Sequence, residues 1–447
     1  MSRKSDRRTF LKTTAAVGAG FWVAGGVQAE ESKSANEEIS FGCIGVGGKG
    51  TSDSADAGKN GNVIAICDID ENTLNRAAAR FPKAKKYTDY RKMIDEMGKS
   101  LDGVTVSTPD HSHAPAAIRA MNEGLACFCQ KPMTHTLQEA RLMGELAAKK
   151  NLATQMGNQG TAGAPLREAA ALIKAGVLGN LKEVHVWTNR PVWPQGLDRP
   201  EGKPVPEYVH WDNWIGPAQE RPYSPAYHPF KWRGFWEFGT GALGDMACHT
   251  LNMPFMGAEL QHPLAVQATS AGHNKETYPK WSQIKFEFGP GESRGPINFT
   301  WYDGGKRPPA ELLEGRTYKN KPATAYASGA WVIGDKGSIF SGDDYCGAFE
   351  LWDVDKVDVD FPKSPGHFEE YARAIKTNNA EPAMSNFPNY ASPLTETVLL
   401  GNLAIWAAAD ADTPGKRIEW DAKNQKATNA PEVDEIIRKK YRDGWAL

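Results

Sequence analysis

The sequence predicts an α/β N-terminal domain with a doubly wound parallel sheet, followed by an α+β C-terminal domain with a large, mostly antiparallel open sheet. Three observations predict it. Between residues 39 and 158, short apolar runs alternate with helical stretches, the pattern of parallel strands joined by crossover helices. The first of these runs enters a glycine-rich turn. From residue 159 the pattern shifts to alternating strands and turns, interrupted by a long irregular stretch rich in tryptophan. The 447 residues suffice for two or three domains of roughly 150 residues each. Lysine and arginine (52) nearly balance aspartate and glutamate (54), so neither a basic nucleic-acid binder nor an acidic tail is indicated. No apolar stretch long enough to span a membrane lies outside the first thirty residues. The aromatic content and the lack of any short repeat exclude collagen, coiled coil and wholesale disorder.

The chain opens on an address. Residues 1–29 carry Arg3, Lys4, Arg7, Arg8 and Lys12 against one acid, Asp6. An apolar stretch over 13–27 follows, ending in Val27-Gln28-Ala29, a small-x-small cleavage pattern. Asp6-Arg7-Arg8-Thr9-Phe10-Leu11-Lys12 resembles a twin-arginine export signal. That route carries folded proteins, which suits a protein that takes up its cofactor in the cytoplasm. We expect cleavage after Ala29, a periplasmic or otherwise exported location, and no membrane span in the mature chain; an uncleaved anchor is the alternative. Residues 30–38 read as a linker. Cys43, Cys67, Cys127, Cys129, Cys248 and Cys346 fall mostly in apolar runs, so buried thiols are expected over disulfides.

The first strand, over 39–46, leads into Gly45-Val46-Gly47-Gly48-Lys49-Gly50, a G-x-G-x-x-G. Its glycines allow a tight turn, backbone approach to a pyrophosphate and close packing of the next helix, whose amides face the phosphates. A second strand, over 62–67, ends in Asp68. A carboxylate there accepts hydrogen bonds from the adenosine ribose and repels a 2′-phosphate, so NAD is expected over NADP. Helices follow over 72–81 and 90–97. A strand over 102–107 ends in Thr108-Pro109-Asp110-His111-Ser112-His113, and a helix over 114–123 closes at Gly124. A strand over 125–129 ends in Gln130-Lys131-Pro132, a helix spans 137–150, and a strand over 152–156 ends in Gly157-Asn158-Gln159. Ligands of such sheets bind at the C-terminal strand ends. The expected cofactor contacts are therefore Gly45, Gly47, Gly48, Lys49, Gly50, Asp68, Ser107, Thr108, Pro109, His111, His113, Gln130, Lys131 and Asn158. The 39–158 stretch is thus a Rossmann domain.

In order, GVGGKG, CDID, STPDHSH, QKP and QMGNQ resemble the Gfo/Idh/MocA family, which includes glucose–fructose oxidoreductase and inositol dehydrogenase. The stretch Lys231 to His249 resembles its second signature, with Gly241-Ala242-Leu243-Gly244-Asp245 in register. The resemblance covers about residues 39 to 425. It implies that Lys131, in place of the family's Glu-Lys-Pro lysine, reaches the substrate hydroxyl beside the nicotinamide; Gln130 stands where the glutamate is usual. A lysine at a buried strand end is desolvated, and its charge eases ionisation of a nearby alcohol. Asp245 and His249 are four apart, on one face if 244–253 is helical. Histidine titrates near neutrality, so His249 is the expected general base, with Asp245 orienting the imidazole or the substrate; a surface hydrogen bond or a helix cap is the alternative for such a pair. No zinc spacing accompanies them, and no metal is expected.

The 159–425 stretch is read as the substrate and oligomerisation domain, and 426–447 as a C-terminal tail. A helix is expected over 165–175, strands over 181–187, 265–270, 284–288, 297–301, 331–333, 338–341, 348–352 and 416–420, and late helices over 368–376 and 393–409, the second packing back near the nucleotide domain. Six of the 14 tryptophans fall between Trp187 and Trp236. Loops this long are usually functional; indole faces stack on sugar rings, so Trp187, Asn189, Arg190, Trp193, Tyr227, His228 and Arg233 are candidate substrate contacts, with plain packing the alternative for any single tryptophan. The resemblance implies a homodimer or homotetramer. Together these features point to NAD-dependent oxidation of a sugar, polyol or glycoside hydroxyl. Redox-neutral glycoside cleavage through oxidation, elimination, hydration and reduction is the second reading, and a non-catalytic sugar-binding relic the third.

Overall fold

Apolar runs bounded by glycines become the strands of an all-parallel sheet. The structure, a computed structural model, describes residues 38–445; the expected export signal and, apart from Glu38, the linker lie outside the described residues. β1 (Ile39–Ile44), β2 (Gly61–Cys67), β3 (Lys85–Tyr87), β4 (Gly103–Val106), β5 (Ala126–Cys129) and β6 (Thr154–Met156) pair in the order β3-β2-β1-β4-β5-β6. The order reverses between β1 and β4, so the loops that follow them part and leave a crevice at the strand ends.

The crossover helices are α1 (Lys49–Asn60), α2 (Glu71–Arg80), α3 (Tyr90–Met97), α4 (His113–Asn122) and α5 (Leu137–Lys150). Their starts are written locally. Asp70 accepts from the Thr73 amide, Asp89 from the Arg91 amide, and Thr136 with Glu139 forms a capping box.

The second domain starts with α6 (Ala164–Lys174) and β7 (Leu181–Trp187). A long irregular stretch follows, broken by α7 (Trp211–Ile215) and leading to α8 (Gly241–Thr250) and α9 (Asn252–Ala258). The expected 244–253 helix is thus two helices. Pro254 has no amide proton to continue the ladder, so the chain breaks at Leu251 and restarts. β8 (Ala265–Ser270), β9 (Ser282–Phe288) and β10 (Ile297–Tyr302) precede an excursion holding α10 (Ala310–Leu313), β11 (Thr317–Tyr318) and β12 (Lys321–Pro322). β13 (Gly329–Gly334), β14 (Ser338–Ser341), β15 (Glu350–Trp352), α11 (His367–Lys376), α12 (Ser392–Trp406), β16 (Ile418–Asp421), β17 (Lys426–Ala427) and α13 (Asp434–Ile437) complete the chain. The nine-stranded sheet runs β15-β14-β13-β7-β10-β9-β8-β16-β17, antiparallel except for β7 and β10. β9 shows why it holds: Ser282, Ile284, Phe286 and Phe288 are buried while Lys285 between them is exposed.

Two late helices return to the first domain. α11 lays Phe368 and Tyr371 on Phe41 and Phe128, and the Tyr371 hydroxyl donates to the Val104 carbonyl at 3.1 Å. α12 packs along α5, where Arg141 forks onto the Glu396 carboxylate at 2.8 and 2.6 Å. The two domains therefore share walls. All six cysteines are buried and free. No helix among the described residues is long and apolar enough to cross a membrane.

Candidate active site

A cleft of about 1120 Å³ opens at the C-terminal ends of the parallel strands and is roofed by the 190–233 loops, α8 and Tyr345. Its nucleotide half follows from the glycine turn. The Gly45 amide donates to the Cys67 carbonyl at 2.8 Å, and a side chain at 45, where φ is +75°, would meet the Ser107 carbonyl oxygen at 2.7 Å. A Cβ on Gly50 would lie 1.9 Å from the Gly45 oxygen, so α1 packs on the turn only with glycine there. Gly48 has open space beside it. Asp68, at the end of β2, accepts from the Val46 amide at 2.9 Å and the Asp70 amide at 3.0 Å. Burial pushes its carboxyl up, against the pull of those two amides. The Thr108 hydroxyl is buried at the cleft with no hydrogen-bond partner, which is unusual without a ligand. An open glycine turn, a carboxylate at the ribose position and an orphaned hydroxyl fit a bound dinucleotide.

Beneath the turn lies a cluster that sequence reading missed. Asp53 on α1 is buried and accepts from Lys49 Nζ at 2.7 Å, Ser107 Oγ at 2.7 Å and Gln130 Nε2 at 2.9 Å. The Gln130 amide oxygen takes the Lys131 backbone amide at 3.3 Å. An amide at 130 is what this neighbour requires, because a glutamate would set two carboxylates against each other. Gln159, oriented to satisfy both its neighbours, accepts from Lys49 Nζ at 2.8 Å.

The reactive half gathers the expected residues. Lys131 Nζ donates to the Asp245 carboxylate at 2.6 Å and to its carbonyl at 2.8 Å. An ammonium has three protons, so one remains for a ligand. Arg233 bridges Asp110 at 2.9 Å and Asp245 at 3.3 Å and lies over the Trp232 ring at 4.3 Å. Burial would raise the Asp245 carboxyl, but the Lys131 and Arg233 charges outweigh it and hold the group well below the usual carboxylate range. His249, one helical turn along α8, is 4% exposed, lines the cleft and leaves Nδ1 without a partner. Burial first, and the Lys131 charge second, push its imidazole well below 6.5, so it is neutral. The Tyr345 ring stands 4.7 Å from it. Tyr345 follows β14 across a Gly-Asp-Asp turn, and only that turn beside a strand hinted at it.

Gly45, Gly47, Gly48, Lys49, Asp68, Ser107, Thr108, Pro109, His113, Gln130, Lys131, Arg190, Trp193, His228 and Arg233 line the cleft. His111 does not: both its ring nitrogens face carbonyls, Trp214 at 2.8 Å and Phe238 at 3.2 Å, so it braces the loop. Asn158 and Gly50 do not line it either: Asn158 is buried and accepts from the Ser385 hydroxyl at 2.5 Å, and Gly50 packs α1 on the turn. Trp187 lies in an apolar cluster on the second sheet and donates to the Tyr326 carbonyl at 2.9 Å. Tyr227 packs with Trp214, Phe235 and Phe238. Asn189 is exposed outside the cleft and pairs with Arg190. Packing on both faces of β7 places Trp187, and the apolar cluster of the loop places Tyr227.

Known proteins match this arrangement. The family described as oxidoreductase family, NAD-binding Rossmann fold, matches residues 39–158, and its C-terminal alpha/beta domain matches 162–294. A levoglucosan dehydrogenase of Pseudarthrobacter phenanthrenivorans is 23% identical over 42% of this chain and 40% of its own length. A glycosyl hydrolase family 109 protein of Saccharopolyspora erythraea is 31% identical over 31% of this chain and 36% of its own. The chain thus spans less than half the length of these curated relatives. The structure of an inositol dehydrogenase homolog from Azotobacter vinelandii, complexed with NAD+, superposes with a TM-score of 0.58 at 16% identity, covering 89% of this chain and all of that one, a likeness of fold. With an NAD-binding Rossmann domain and the matching C-terminal domain together spanning more than half its length, the chain belongs to the Gfo/Idh/MocA oxidoreductase family.

Proposed function

We propose that the protein oxidises a hydroxyl of a sugar, polyol or glycoside, using NAD held in the cleft. The observation that carries this is the meeting of the Lys131–Asp245 pair with a neutral, unpartnered His249 in a cleft that fits a dinucleotide. When bound, the nicotinamide supplies a hydride acceptor for the carbon bearing the hydroxyl. Asp245 and Gln130 fix Lys131 so that its remaining proton meets the substrate oxygen and stabilises negative charge there. His249 takes the hydroxyl proton on a ring nitrogen. Arg233 keeps Asp245 ionised and in place. Trp193 and Trp232 offer ring faces to the apolar side of a sugar.

Redox-neutral glycoside cleavage is the second reading, supported by the match to the glycosyl hydrolase family 109 protein. Export by the twin-arginine route and assembly as a dimer or tetramer belong to the proposal. The test is a panel of hexoses, inositols, anhydrosugars and aryl glycosides, followed at the NADH band and by aglycone release. Net NADH formation in step with sugar oxidised supports the first reading. Many turnovers of aglycone with no net NADH would replace it by the second. Neither activity, with sugar binding intact in Lys131→Met and His249→Ala, would leave a binding protein.

A further inference from the structure

Beside Asp68 the cleft has a wall that the glycine turn and the reactive group leave unexplained. The Asp68 amide donates to the Tyr87 carbonyl at 3.1 Å, which sets the turn after β3 next to the ribose carboxylate. Thr88, Asp89, Tyr90, Asn213 and Trp445 all line the cleft. Trp445 comes from residues 438–445, far from the Rossmann domain in sequence, and is 6% exposed. The Arg91 guanidinium lies 3.8 Å over its ring, held in turn by Asp89 at 2.7 Å.

The segment carrying Trp445 is stitched down along its length. Lys439 Nζ donates to the Glu237 carbonyl and carboxylate, each at 2.7 Å. The Tyr441 hydroxyl meets Glu139 on α5. Arg442 pairs with Asp212 at 2.5 Å, and its backbone amide donates to the Pro217 carbonyl at 3.1 Å. These contacts tie together the first domain, the tryptophan-rich loop and the segment itself.

Resting on the cofactor reading above, we propose that residues 438–445 form a latch over the adenosine end of the cleft, with Trp445 packing against the adenine. The wall accounts for an indole that is buried and yet borders the cleft. A latched adenosine holds the cofactor through many turnovers.

Binding is measured on the full chain with NADH, ADP-ribose and nicotinamide mononucleotide, for wild type, Trp445→Ala and Arg442→Ala. Base–aromatic contacts of this kind predict about 10-fold to 100-fold weaker NADH and ADP-ribose binding in Trp445→Ala. Nicotinamide mononucleotide, which lacks adenosine, should bind as to wild type. Arg442→Ala, outside the cleft, should release NADH faster. ADP-ribose affinity unchanged in Trp445→Ala, or equal losses for both half-ligands, overturns the latch. If Trp445→Ala does not fold, NADH release from Arg442→Ala decides, and an unchanged rate overturns it. A wild type that binds no NADH fails the cofactor reading instead.

Discussion

The two halves of the cleft are built in different ways. The nucleotide half hangs on turns that directly follow parallel strands: Gly45 after β1, Asp68 after β2, Thr108 after β4 and Gln130 after β5. Backbone pairing fixes each of these positions, so a shift of one residue would disturb the sheet itself. The substrate half draws Arg190, Trp193, His228 and Arg233 from an irregular loop, His249 from a helix and Tyr345 from a distant turn. There, position comes from ion pairs and ring packing across the chain. A substitution in the first half should act through cofactor affinity, and one in the second through turnover.

The largest expected effect is in the reactive half. Lys131→Met or His249→Ala should lower turnover by about 10²–10⁴-fold while the cofactor still binds. Because burial and the Lys131 charge disfavour the imidazolium, the neutral base survives into acid, and the acid limb of the wild-type rate should lie below pH 6.5. Lys131→Met removes one of those causes, so the His249 titration, followed by NMR, should move upward. A limb at or above 6.5 in the wild type would show that His249 is not the base.

Next comes the seam between the halves. Gln130→Glu sets a second carboxylate on Asp53 and should cost about 1–3 kcal/mol of stability in denaturant unfolding. Adding Asp53→Asn should restore most of it. A single variant as stable as wild type would mean that Asp53 is not the partner that matters. In the nucleotide half, Asp68→Ala should weaken NAD about tenfold and relax discrimination against NADP; a wild type that prefers NADP in calorimetry contradicts the assignment. The smallest effect belongs to a residue outside both halves. Asn189→Ala should leave stability within about 0.5 kcal/mol and KM unchanged, and a raised KM would return it to the site.

The same contrast explains what the sequence made legible. Strand-end residues could be located because motif and secondary structure fix them together, and both glycine roles and Asp68 were readable. The Asp245–His249 pair was readable because four residues make one helical turn. Asp53 was not, since an acid on a polar helix looks solvated until Ser107 and Gln130 fold over it. Tyr227 and Trp187 look like ligand contacts in the sequence because composition cannot tell a stacking platform from a packed core. Trp445 lies in a stretch read as a tail, and the contacts of Lys439, Tyr441 and Arg442 bring it to the cleft.

The cleft is built to hold one NAD per chain as the partner of its reactive half. Native mass spectrometry of the purified full chain, before and after added NAD, tests it most directly. One bound NAD or NADH per chain is expected in the wild type, kept in Lys131→Met and His249→Ala and depleted in Asp68→Ala. A wild-type chain that stays free of nucleotide at saturating NAD would contradict it.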